Sequence, residues 1–74
     1  MNQMSKLQEG ELAYLPARSV LVRYDKNNNV QEYITLEEPL NLLVVDKTGK
    51  DITGLHFLGK TWYSKSNDIY RTVQ

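Results

Sequence analysis

Apolar and polar residues alternate along most of this chain, and the alternation has a period of two. In "ELAYLPARSVLVRYD" the apolar positions Leu12 and Tyr14, then Val20, Val22 and Tyr24, recur at every second residue, as in strands with one buried face. Pro16 has no backbone N–H to give to a ladder, so it predicts a break into two strands there. "DKNNN" follows, a run of Asp and Asn that favours a hairpin turn. The returning segment "VQEYITL" places Val30, Glu32 and Ile34 on one face, and Gln31, Tyr33 and Thr35 on the other. "LNLLVV" is apolar at both parities, which predicts a central strand covered on both faces.

"DKTGKD" is the second strong turn, with Gly49 free to adopt positive φ. Beyond it, Gly59-Lys60 predicts a two-residue hairpin loop between "LHFL" and "TWYS". That register sets Phe57 opposite Trp62, with Leu55 and Ser64 on the same face and His56, Leu58, Thr61 and Tyr63 on the other. "SKSND" suits a single 3₁₀ turn capped by Ser66 or Asn67, and "IYRTV" a last short strand. Residues 1–9 show no such period and predict a flexible tail, leaving residues 10–74 as one domain. The pattern as a whole predicts an all-β domain of five to six short antiparallel strands. Its expected form is a small barrel, with the 3₁₀ turn just before the last strand. The expected core is Val20, Val22, Ile34, Leu42, Val44, Leu55, Phe57, Trp62 and Ile69.

Composition narrows the function classes. At 74 residues the chain has room for one core, since folding at this size buries only roughly 60% of the extended surface. There is no Cys, hence neither a disulfide nor a thiolate metal site. Nine basic and nine acidic side chains balance to zero, which argues against a duplex-binding protein driven by phosphate neutralisation. The longest apolar run, "LLVV", is far too short to cross a bilayer, and the first residues lack a signal-peptide h-region. A cytoplasmic protein without a membrane partner is expected.

The candidate chemistry is sparse. His56 is the only His, with neither a nucleophile nor an orienting carboxylate at a supporting spacing and no second His or Cys for a metal. Glu37 and Glu38 are adjacent and point to opposite faces, while Asp46 and Asp51 belong to a turn that lacks calcium-loop ligand spacing. No enzyme, cofactor or metal is expected. Parity instead places Tyr33, His56, Tyr63 and Arg71 on the surface, where they are candidates for contact with a protein partner. The alternative is a single-stranded nucleic-acid site at Lys60, Trp62, Tyr63, Lys65 and Arg71, which combines stacking rings with cations.

The ending "TWYSKSNDIYRTV", strand then 3₁₀ turn then strand, resembles the close of SH3-like barrels. The wider pattern "LP…VLVRYD…ITLEEPLNLLVV…LGKTWYSKSNDIY" is similar to small accessory proteins of tailed bacteriophages over most of residues 10–73. The resemblance implies a factor made in a bacterial host that binds and modulates a host or viral protein. It does not carry over a polyproline groove. Peptide-binding SH3 domains open on an "ALYDY"-type motif where this chain has "ELAYLPA", and their ligand-binding Trp stands much further from the terminal motif than Trp62 does from Tyr70.

Overall fold

The computed structural model describes residues 7–49 and 51–72. Seven antiparallel strands form one sheet: β1 (Leu12–Leu15), β2 (Val20–Tyr24), β3 (Val30–Thr35), β4 (Leu40–Asp46), β5 (Ile52–Phe57), β6 (Lys60–Lys65) and β7 (Tyr70–Arg71), with a 3₁₀ turn at Ser66–Asp68. Their spatial order is β3-β2-β6-β5-β4-β1-β7. The all-β class and the position of the 3₁₀ turn match the sequence reading, whereas the strand number and the barrel do not. Pro16 does divide β1 from β2, and the last short strand expected in "IYRTV" forms as the two-residue β7, so the total is seven and not five to six. Closure would need β3 to pair with β7, but β7 is only two residues long and β3 has no ladder to it, so the sheet stays open.

The sheet wraps a core of Leu7, Ala13, Leu15, Leu21, Leu36, Leu42, Val44, Leu55, Trp62 and Ile69, against which Ile34, Leu40 and Phe57 pack. Burial of these side chains is the main favourable term, at about 1.5–3 kcal/mol for each large one. Leu42, Val44, Leu55, Trp62 and Ile69 are buried as expected. Val20 and Val22 are not: Val20 is 45% exposed and Val22 half-buried, while Leu21 between them is fully buried. The period of two was right and its phase inverted, because β1 and β2 carry apolar residues at both parities. Arg23 misleads in the same way. It lies on the inner side, its guanidinium 5.7 Å from the centre of the Trp62 ring and paired with Glu32. β4 is likewise covered on one face only, since Leu43 is 40% exposed.

Turns set the remaining registers. Asp25 accepts from the N–H groups of Asn27 and Asn29 at 2.8 and 3.0 Å, and Asn28 takes φ +67°. An irregularity at Arg23/Tyr24 then sets Val30 opposite Tyr24, moving Val30 off the face it was expected to share with Glu32 and Ile34. At the β5–β6 hairpin the loop is Leu58-Gly59, both at positive φ (53° and 74°), not Gly59-Lys60. Leu55 therefore opposes Trp62, and Phe57 opposes Lys60. The slip moves each partner by two along its strand, so face assignments survive and the Phe57 and Trp62 rings still meet edge-to-face at 6.5 Å. Trp62 Nε1–H donates to the Phe57 carbonyl at 2.9 Å.

Two boundaries also move. Ser66 does not cap the 3₁₀ turn; it is buried in it, 2.8 Å from the Thr53 hydroxyl. Leu7 is 3% exposed, and Gly10 N–H donates to the Val44 carbonyl, so residues 7–9 belong to the domain. The rest of the expected tail, residues 1–6, lies outside the described residues, as do Lys50 and the end of the last predicted strand, Val73.

Candidate functional site: the outer face of β2 and β6

The apolar residues that missed the core collect on the opposite face of the sheet. One row runs across five strands: Tyr33 of β3, Val22 of β2, Tyr63 of β6, Gly54 of β5 and Asp46 of β4. Tyr63 is the hinge of this row. Its ring lies over Gly54 and its hydroxyl donates to Asp46 Oδ2 at 2.7 Å. A Cβ at Gly54 would stand 2.7 Å from Asp46 Cβ and 3.0 Å from Tyr63 Cε2, so only glycine admits the ring there. Asp46 also accepts from the Thr48 N–H at 3.0 Å and the Thr48 hydroxyl at 2.8 Å.

These bonds act on both titrations. The Thr48 backbone N–H, the Tyr63 hydroxyl and the Thr48 hydroxyl hold the Asp46 carboxyl below its ordinary 3.8. The same carboxylate, together with partial burial, pushes the Tyr63 phenol above its ordinary 10.0. Asp46 is an anchor for an aromatic ring, with its acceptor sites taken up by local donors.

Beside the ring, β2 and β6 diverge. They share a single bridge pair, Val22 with Tyr63, whereas β5 and β6 pair along their whole length. The opening is a groove of about 400 Å³ walled by Val20, Val22 and Tyr24 on one side and Ile52 and Tyr63 on the other, with Lys65 and Asp68 at its rim. The Tyr24 and Tyr63 rings stand 5.9 Å apart at 55°. Ser64 also lines this groove, but its side chain has Trp62's parity and turns to the inner face, where its Oγ is the one buried side-chain oxygen among the described residues with no hydrogen-bond partner.

The residues singled out from sequence fall in three places. Tyr33 (66% exposed) and the half-buried Tyr63 share the row. His56 is exposed on the same face but along a different row, between Thr61 and Leu43, and not beside Tyr63. Arg71 sits on β7 at the far edge of the sheet, 3.8 Å from Glu11. The nucleic-acid set does not form one surface. Trp62 is 2% exposed and faces the core with Lys60's parity, while Tyr63 and Lys65 point outward. A base has no ring face to stack on at Trp62. Val20, Tyr24, Ile52 and Ser64 were missed as site residues, although Gly54 within a strand was a legible sign of close approach.

No protein-family model, curated protein or solved structure matches this chain.

Proposed function

We propose that this protein acts by binding another protein, without catalysis, through the outer groove between β2 and β6. The observation that carries this reading is the groove itself: five apolar or aromatic side chains, two exposed and three half-buried, gathered on the open face of the sheet where β2 and β6 diverge. Aromatic anchors in a desolvated pocket are how protein interfaces concentrate their binding energy. The Asp46 bond and Gly54 fix the Tyr63 ring in advance, which reduces the ordering cost of association. The likeness of the sequence to phage accessory proteins makes a bacterial host or phage protein the partner class to test first.

The test is affinity capture from bacterial lysate with the wild type and with Val20→Asp. Val20 is exposed, so the substitution should leave stability within about 0.5 kcal/mol and place a charge in the groove wall. The reading predicts a specific protein held by the wild type and lost with the variant. Equal recovery by both, or none by either, refutes it. Oligonucleotide binding that weakens steeply with salt would replace it by the nucleic-acid alternative.

A further inference from the structure

β3 is an edge strand, and its free backbone groups can be assigned. Leu36, which follows it, donates its N–H to the Ser19 carbonyl and accepts from the Arg18 N–H, both at 2.8 Å and both toward β2. Pairing runs without a slip from Val20–Thr35 through Arg23–Glu32. Backbone polar groups alternate sides along a strand, so those of Ile34 and Glu32 also face β2, and those of Tyr33 and Thr35 face outward. Proteins usually blunt such an edge with Lys, Pro, a β-bulge, an unpaired charge or a covering segment. β3 has neither Lys nor Pro, its bulge at Gln31 lies outside the regularly paired Glu32–Thr35 stretch, its single charge at Glu32 is paired with Arg23, and no described strand covers it. The opposite edge, β7, is only two residues long and carries Arg71.

We propose that β3 pairs antiparallel with β3 of a second copy about a two-fold axis through Tyr33, joining the two sheets. An axis perpendicular to the sheet keeps both inner faces on the same side, and then it must pass through a residue. At Tyr33 the outward N–H of each copy donates to the Tyr33 C=O of the other, and Glu32 opposes Ile34. At Glu32 two carboxylates would face each other. Antiparallel pairing also brings the β2–β3 turn of one copy beside the residues after β3 in the other. That sets Lys26 near Glu37 and Glu38 at both ends of the joint, while the Asp25 carboxylate is held by its own turn. Val30 and Tyr33, 59% and 66% exposed, gain a neighbour on the outer face.

Sedimentation of the whole chain between about 10 µM and about 1 mM tests this, a range suited to an interface at the small end of the size scale. The average mass should climb from 8.6 kDa towards twice that value. Tyr33→Pro removes the outward N–H and leaves the β2–β3 bonds intact, so this variant should stay monomeric. In the wild type, the Tyr33 and Thr35 amides should exchange more slowly as concentration rises, a readout that stands even if the variant fails to fold. A constant monomer mass overturns the proposal. So does a folded Tyr33→Pro dimer, or exchange at these amides that ignores concentration.

Discussion

Leu21 and Val20 are neighbours on β2, and one is fully buried while the other is 45% exposed. The contrast holds across the whole sheet. The inner face is closed by side chains from every part of the chain, from Leu7 to Ile69, packed around Trp62. The outer face carries residues of similar kind but has no second layer among the described residues: Leu12, Tyr14, Val20, Tyr24, Tyr33 and Leu43 are exposed. Stability resides in the first face. The second keeps apolar area that folding leaves exposed, and its one ordered device, the Tyr63–Asp46 bond, holds a ring in place without burying it. An exposed apolar surface of this kind is where a partner gains most from contact.

Breaking the inner face should have the larger effect. Trp62→Ala removes the largest buried ring, its contact with Arg23 and its bond to the Phe57 carbonyl, and should cost about 3–5 kcal/mol in urea unfolding. A loss below about 1 kcal/mol would show that the core does not depend on it. Gly54→Ala strikes where the two faces communicate. The added carbon meets Asp46 and Tyr63, so about 1–3 kcal/mol should be lost, together with the Tyr63–Asp46 bond. A Tyr63 environment unchanged by NMR would refute that geometry.

The smallest effect is electrostatic and belongs to the outer face alone. Asp46 is depressed, so its contribution is present above 3.8 and is lost as pH falls through the folded value below it. Tyr63 is raised, so its contribution is complete below 10.0 and is lost as pH climbs through the folded value above it. Asp46→Asn should bring the Tyr63 phenol titration down towards 10.0, as followed by ultraviolet absorbance. An unmoved titration would mean that the carboxylate does not hold the ring.

The fold was legible where turn chemistry is local. Asp25 binding the Asn27 and Asn29 N–H groups, and Pro16 ending β1, follow from residue types alone. Face assignment held in β5 and β6, where Trp62, Leu55 and Phe57 share a parity. It inverted in β1 and β2, where Leu15 and Leu21 compete with Tyr14 and Val22 and only distant partners decide. Barrel closure was not legible at all, because it depends on whether the two edge strands meet. Of the candidate site, Tyr33 and Tyr63 were found by parity. Val20 and Tyr24 were hidden by the same inversion that put valines in the core, and the anchoring role of Asp46 needed the fold to bring β4 beneath Tyr63.

The strand order also carries a schedule. β2 with β3 and β5 with β6 are hairpins between neighbours in the chain, and each can zip up from its own turn as soon as it exists. β1 cannot. Its partners are β4, through Leu12 with Leu43, and β7, through Tyr14 with Tyr70. Pairing β1 with β7 joins the positions farthest apart in the chain of any strand pair in the sheet, so it should come late and set the pace. Until then the edge of β1 that β7 will cover stays open, and that interval is the chain's window for misassembly. Pulse-labelled amide exchange during refolding should accordingly show the β5–β6 hairpin protected before Ala13 and Leu15.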